Sequence, residues 1–321
     1  MKIAFPLLLG GMILYWTYRD FDIGKAGEVF LYEMNYGWML MSLVFGVMSH
    51  SFRGWRWKQT LEPLGEHPKA SNCVFAIFAS YAMNLVIPRI GEISRCGILA
   101  RYDGVFFSKS LGTVVTERLV DTLCIGLISG ITFLLQMGVF NTFFRTTGTD
   151  LHSFAELFTS VHLYIALACV AAMLVLIYFL VRHLTVFSRV KGLVKNVWTG
   201  IFSLHMVKNM PLFCFYTLAI WVCYFFHFYL TFYCFTFTTH LGWMAGLVMF
   251  VVGSFAVVVP TPNGAGPWHF ALITMMMLYG VEKEDAGIFA LIVHGIQTLL
   301  IILLGIYGLA ALPFANKKRA L

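Results

Sequence analysis

Asn84-Leu85-Val86-Ile87-Pro88-Arg89-Ile90-Gly91-Glu92-Ile93-Ser94-Arg95 closes an apolar stretch, 70–88, and passes at once into charge. Proline removes a backbone donor and disfavours helix at the residue before it, so the helix is expected to break near Ile87-Pro88. A second charged group, Thr116-Glu117-Arg118-Leu119-Val120-Asp121, follows in the next apolar stretch. In a sequence that is 60% hydrophobic and 12% charged, these groups stand beside or inside a membrane. An ionised side chain at the bilayer centre costs at least about 2.5 kcal/mol, and a cost of that size implies a task. The candidate tasks are holding a polar lipid headgroup, carrying an ion, or bracing the fold through buried salt bridges.

The wider composition agrees with a membrane setting. With 31 Phe, 16 Met and several apolar stretches near the roughly 20 residues needed to cross a bilayer, the chain reads as an all-α polytopic membrane protein. Residues 3–18 lead into Thr17-Tyr18-Arg19-Asp20 without a small-residue cleavage pattern, and are expected to be a retained first span. No soluble catalytic module is expected at either end, so 1–321 reads as a single transmembrane unit. The seven cysteines show no CxxC or Cys/His metal spacing, so neither a metal, a cofactor nor a disulfide framework is expected. The net charge of +7 is spread over the loops between spans, as orientation determinants and contacts to anionic lipid headgroups would be. It is not a nucleic-acid signal.

Counting Lys and Arg by segment gives an orientation and an anomaly. Segment 19–35 has two, and 53–69 has four (Arg53, Arg56, Lys58, Lys69), so the latter is expected in the cytoplasm. Segment 89–109, across the stretch 70–88, also has four (Arg89, Arg95, Arg101, Lys109). Both flanks look cytoplasmic, which a re-entrant 70–88 element explains; a full span with an external basic flank is the competing reading. Irregular backbone at depth requires burial in protein or a wet cavity. Spans near 112–140 and 161–181 then enclose an outer loop with Arg145, and 182–210 holds five basic residues and returns to the cytoplasm. The aromatic run Pro211 to Thr238 crosses outward. Stretches 243–260 and 268–280, joined by the charge-free Pro260-Thr261-Pro262-Asn263-Gly264-Ala265-Gly266-Pro267, form a hairpin entering from outside, and 286–312 returns the chain to Lys317-Lys318-Arg319. The expectation is about six full spans plus two broken, re-entrant hairpins, eight or so hydrophobic segments in all, with both termini cytoplasmic. Broken elements entering from opposite faces suit a transporter built from an inverted repeat.

Helical spacing lets Glu92 and Arg95 share a face, as it does Glu117 and Asp121, while Arg118 points elsewhere. Arg89, Arg95 and Arg118 offer planar forks for a lipid phosphate, with Glu92, Glu117 and Asp121 orienting them or meeting a cationic headgroup. A purely structural salt-bridge network is the alternative, and the two are compatible. All three members of the second group are expected to face protein or water. The turn at 260–267 calls for positive φ at Gly264 and Gly266, and its amides with the following helix N-terminus are a candidate anion site. His50, His227 and His294 read as hydrogen-bonded packing residues. Trp55, Trp57, Arg53, Arg56 and Lys58 read as an interfacial anchor in an anionic leaflet. Gly126-x-x-x-Gly130 permits a close helix contact.

At these residues the chain resembles the lysylphosphatidylglycerol synthase/flippase transmembrane family of bacteria. The resemblance lies in Asn84-x-x-x-Pro88-Arg89-x-Gly91-Glu92-x-x-Arg95, then Glu117-Arg118-x-x-Asp121, then a late Pro-x-Pro-Gly-Gly-x-Gly-like turn. It extends over nearly the whole chain as order and spacing of motifs. Where the family turn often ends in Glu, this chain has His269 after Asn263, Gly264 and Gly266. Asn tolerates the left-handed backbone a Gly would supply; His in place of an acid removes a fixed negative charge. The resemblance implies a stand-alone flippase-like protein of the inner membrane, without the family's aminoacyl-transfer domain. It further implies a non-enzymatic translocase for a phosphate-bearing lipid, with a site drawn from Asn84, Arg89, Glu92, Arg95, Glu117, Arg118, Asp121, Asn263, Gly264, Gly266 and His269. The alternative is a membrane-embedded enzyme or subunit of polar-lipid or polyprenyl-glycan assembly, with Glu117, Asp121 and His269 as acid and base. Membrane lipids are the expected partners, with a homo-oligomer left open, and no P-loop is present to power transport.

Overall fold

The computed structural model describes residues 4–19, 21–87, 90–139, 142, 198–199 and 202–317. Among these the regular secondary structure is all helix, with no strand. The helices are α1 (Ala4–Tyr18), α2 (Ile23–Glu28), α3 (Tyr36–Leu61), α4 (Ala70–Val86), α5 (Ile90–Asp103), α6 (Phe107–Leu135), α7 (Met210–Tyr229), α8 (Trp243–Ala256), α9 (Pro267–Leu278) and α10 (Lys283–Ala315). Three of them, α6, α7 with its 3-10 extension to Cys234, and α10, are long and apolar enough to cross a membrane. The expected span 161–181 and its outer loop lie outside the described residues, as do Pro88 and Arg89.

Local signals explain several starts. Asn35 begins α3 by accepting from the backbone N–H of Gly37 and Trp38, and Asn209, followed by Pro211, begins α7 by accepting from Leu212. Expected boundaries shift in two places. α3 does not end near residue 52 but continues through Leu61, so Arg53, Arg56 and Trp57 are helical core residues. A buried stripe of Ser42, Gly46, Ser49, His50, Arg53, Arg56, Trp57 and Thr60 recurs at helical spacing across that supposed boundary. Segment 89–109, read as a basic flank, contains α5, which packs Arg95, Cys96 and Leu99 inward.

α4 and α5 form a hairpin. Its open ends meet where Asn72 Nδ2 donates to Asp103 Oδ2 (2.8 Å), and its turn is braced where Gly91 N–H donates to Asn84 Oδ1 (2.7 Å). The same end of the molecule gathers the end of α3, the start of α6 and the end of α10. Lys109 bonds Leu64 O and Glu66 there, and Lys69 and Asn72 bond Asn316. At the opposite end Asn35 N–H donates to Cys234 O (2.8 Å), Tyr18 donates to Gly287 O, and Lys25 pairs with Glu284 (3.1 Å). α8 and α9 form a second hairpin whose open ends lie at that opposite end, where Leu241 and Val281 join one core cluster with Cys234. α4 packs on the 262–264 turn, so the two hairpins meet inside the bundle. The pairings are reciprocal: α3 lies on α7, α4 on α10, and α6 on α8.

Glycine makes α4 fit. A Cβ on Gly54 of α3 would lie 2.7 Å from Val74 Cα, one on Gly308 of α10 would lie 2.7 Å from Phe75 O, and those on Gly91 and Gly305 would overlap Ser80 O and Ala82 Cβ. Within a bilayer, where lipid tails are as apolar as leucine, close contact of this kind is what holds helices together. Gly126 and Gly130, by contrast, have nothing within 4 Å among the described residues. Gly91→Ala is therefore expected to lower the unfolding temperature in detergent, because overpacking costs about 1–3 kcal/mol. Gly97→Ala, on the same helix with open space around it, should leave that temperature unchanged or raise it. Equal effects in a thermal melt would contradict the packing account.

Candidate functional site

Charges from three helices meet in the interior. Arg53 and Arg56 of α3, Arg95 of α5, and Glu117 and Asp121 of α6 are all less than one-tenth exposed. Asp121 receives Arg53 (2.9 Å) and Arg56 (2.8 Å) on its two oxygens. Glu117 receives Arg95 (2.6 Å) and, more loosely, Arg56 (3.6 Å). Arg56 also donates to Thr217 Oγ1 of α7 (3.4 Å). Trp57 forms the floor: its indole N–H donates to Thr113 Oγ1 (2.9 Å) and the Arg95 guanidinium lies 4.5 Å over its ring. Burial this deep is tolerated because each charge has a counter-charge in contact.

The balance is uneven. Three guanidiniums face two carboxylates, and Arg53 Nε, Arg56 Nε, Arg95 Nε and Arg95 Nη1 have no hydrogen-bond acceptor among the described residues. Both Glu117 oxygens, though within ion-pair distance of Arg95 and Arg56, accept no aligned hydrogen bond. The cluster is thus net positive with spare donors, the chemistry that suits a phosphate oxygen.

The expected residues divide. Arg95, Glu117 and Asp121 come together as paired buried charges. Arg118, expected to face protein or water and to reach a different partner, is half-exposed at the cluster's edge, 3.5 Å from Glu92 and 3.9 Å from Asp121. It follows Glu117 by one residue, about 100° round the helix, and so turns to a different partner. Asn84 braces the α4–α5 turn. Arg89 lies outside the described residues. Arg53 and Arg56 were missed: read as an interfacial anchor together with Trp57, all three are buried, whereas Trp55 is exposed and Lys58 pairs with Glu62 (3.3 Å) at the surface. The signal that separates them was the i, i+3, i+4 spacing of Arg53, Arg56 and Trp57 against Trp55 and Lys58.

Beside the cluster lies a chamber of about 350 Å³. Both hairpins contribute to its wall, Tyr81 from α4 and Gly253, Asn263 and Trp268 from the other, and Arg53 joins it to the ion cluster. His50, His227 and His294 also line it. His227 Nδ1 donates to Ser42 O (2.7 Å), and His294 Nε2 donates to Asn263 O (3.1 Å), as packing residues should. The His50 ring packs against that of Tyr81, tilted by 45° with centroids 4.3 Å apart, and its Nδ1 has no hydrogen-bond partner among the described residues. The turn adopts left-handed backbone at Asn263 (φ 51°) and Gly264 (φ 73°), with φ 94° at Gly266. Asn263 Nδ2 donates to Thr298 (2.9 Å). Gly266 allows α1 to approach, since its Cβ would stand 2.9 Å from Gly10 O. His269 is buried outside the chamber wall, where its Nδ1 accepts from Gly266 N–H (3.4 Å) and its ring packs on His294 (4.5 Å) and Tyr18.

The profile of the lysylphosphatidylglycerol synthase TM region matches residues 3–305, nearly the whole chain. The chain belongs to this family. Membership places it among lipid-related membrane proteins. Neither the curated proteins nor the solved structures include a match to it.

Glu117→Gln is expected to destabilise the protein by about 3–5 kcal/mol, because it leaves Arg95 and Arg56 buried against a neutral group. Adding Arg95→Met should recover part of that loss. Arg118→Ala, which removes a half-exposed pair, should cost within about 1 kcal/mol. Chemical unfolding in detergent measures all three, and a loss at Arg118 equal to that at Glu117 would refute the burial ranking.

Proposed function

We propose that this protein is a non-enzymatic lipid translocase of the bacterial inner membrane, moving a phosphate-bearing lipid between leaflets. The observation that carries the proposal is the chamber of about 350 Å³, walled by both hairpins and opening onto a buried, net-positive arginine cluster. A lipid headgroup needs a polar path through a medium that penalises charge, and spare guanidinium N–H groups beside a midchain cavity supply one. Family membership supports the lipid assignment.

In this reading α4–α5 enters from the cytoplasm and α8–α9 from outside, as two re-entrant elements related by an inverted repeat: long helix, hairpin, long helix, twice over. The reciprocal packing of α3 with α7 and of α4–α10 with α8–α6 supports that symmetry. The basic end that gathers Lys58, Lys69, Arg101 and Lys109 then faces the cytoplasm, together with the end of α10. Movement is downhill or coupled to an ion gradient, since no nucleotide-binding motif is present. Acid–base catalysis is disfavoured because Glu117 and Asp121 are each held by two arginines and the His269 Nδ1 is engaged by a backbone amide.

The test is a leaflet-resolved assay with purified protein in vesicles containing fluorescent phospholipids that an external reductant quenches. The natural protein should expose inner-leaflet probe faster than empty vesicles do. Arg53→Gln should slow that exchange by about ten-fold or more, the worth of one charge-assisted hydrogen bond, while Lys58→Ala should not. Exchange no faster than in empty vesicles, across anionic, zwitterionic and cationic lipids, would sink the proposal.

A further inference from the structure

His50, His227 and His294 line the chamber, and His269 packs its ring 4.5 Å from that of His294. Their surroundings separate them. A neutral imidazole donates from one ring nitrogen and accepts at the other, and only the cation donates from both. The lone pair of His269 Nδ1 is held by Gly266 N–H (3.4 Å). His227 is held by the carbonyl of Ser42. His50 Nδ1 has no partner among the described residues, and Arg53 follows three residues later on the same helix, where its charge repels a second cation. His294 differs. Its Nε2 donates to Asn263 O (3.1 Å), and its Nδ1 stands 3.5 Å from Thr298 Oγ1, one turn along α10. That hydroxyl already accepts from Asn263 Nδ2 (2.9 Å) and has a second lone pair. An oxygen acceptor thus lies beside each ring nitrogen, and a proton added at Nδ1 finds its place prepared.

What such a proton lacks is a counter-charge. The titratable and charged groups around His294 are His269 from α9, with Tyr18 of α1 beyond it, and on the chamber wall Arg53 and His50 of α3, Tyr81 of α4, and Tyr224 and His227 of α7. Among the described residues no carboxylate lines the chamber. In the empty chamber the net-positive arginine cluster therefore opposes a second cation. A phosphate drawn to that cluster reverses the sign, because an opposite charge within about 4–6 Å raises the proton affinity of a histidine by about ten-fold or more. Linkage is reciprocal, so the proton strengthens binding of the phosphate by the same factor.

Resting on the translocase reading above, we infer that a proton is the co-substrate: the chamber takes up one proton on His294 together with a lipid phosphate and releases the two together, which makes the protein a proton–lipid symporter. The proton comes from water on the side where the lipid enters, adds to the Nδ1 lone pair with no covalent change in the lipid, and returns to water on the other side when the phosphate leaves.

Binding tests this independently of transport. Calorimetry on the full chain, purified in a non-ionic detergent, is run between about pH 5 and 8, the range of an ordinary histidine, in buffers of different ionisation enthalpy, which counts the protons taken up per lipid bound. The probes are short-chain phosphatidylglycerol and phosphatidylcholine, phosphodiesters that do not themselves titrate in that range. Affinity for at least one of them should rise about ten-fold from the alkaline to the acid end, with uptake approaching about one proton per lipid. His294→Gln should flatten the profile and abolish the uptake. Because that variant also alters a bond to the turn, Thr298→Val serves as a second: it keeps the histidine, removes the acceptor at Nδ1, and should reduce the gain several-fold. His50→Phe on the chamber wall and His67→Gln at the surface should keep the full gain. A flat profile in the natural protein, proton release, a gain that survives both His294→Gln and Thr298→Val, a gain lost in His50→Phe, or binding of neither lipid overturns the inference. Lipid exchange in vesicles without proton uptake removes the symport and leaves the translocase reading standing, whereas proton uptake on binding without exchange removes the translocase reading and leaves the linked proton site.

Discussion

Asp121 holds two arginines of another helix, and much of the bundle hangs on that contact. Its oxygens take Arg53 and Arg56 of α3 at 2.9 and 2.8 Å, and one turn earlier Glu117 takes Arg95 of α5. These pairs tie α3, α5 and α6 into one body at a depth where water is scarce. Arg53 lies eight residues before the end of α3, about 12 Å along its axis. An isolated charge there would neutralise or leave; a paired one commits its partner helix to a single register. Whether such a network adds net stability over apolar packing is not guaranteed by its strength, since desolvation offsets much of the attraction. Its secure consequence is specificity of arrangement, because removing any one member strands the others.

A second constraint works with the first. α4 is enclosed by α3, α5 and α10, and at each contact the partner presents glycine: Gly54, Gly91, and Gly305 with Gly308. Close backbone approach lets a helix of only 17 residues bury most of its stretch 72–80 among these neighbours. Its end meets the Asn263 turn of the other hairpin, and the cavity between them is bounded by polar groups from both. The charged cluster and the chamber are therefore one structural unit, joined at Arg53, which both braces the fold and lines the chamber.

Much of the buried ion cluster was legible by reading spacing against depth. Glu117 and Asp121 stood four apart in an apolar stretch, and Arg95 followed the predicted break at a helical interval. Membrane chemistry alone demanded that they be paired. The turn's left-handed positions at Gly264 and Gly266 followed from residue type, and Asn263 took the place a glycine often fills. What escaped was the far partner. Arg53 and Arg56 sit beside Trp55, Trp57 and Lys58, a composition that describes an interfacial belt as well as it describes a helix interior. Charge identity is silent about which face of a helix meets protein. Arg118 turned, as its position on the helix implied, to a different partner, Glu92: Glu117 before it is buried, whereas Leu119 after it is exposed.

By itself the sequence determined that this is a helical membrane protein, that a helix ends just before Pro88, and which charges need partners, because hydropathy, proline and the cost of ionised groups in lipid act locally along the chain. The structure alone decided which charges pair and where α3 ends. It also brought two hairpins, about 175 residues apart along the chain, to line a common chamber, and it left His269 packed behind that wall rather than facing it. Those outcomes depend on side chains meeting across helices distant in sequence, and three-dimensional contact between them is set by packing geometry that no local pattern records.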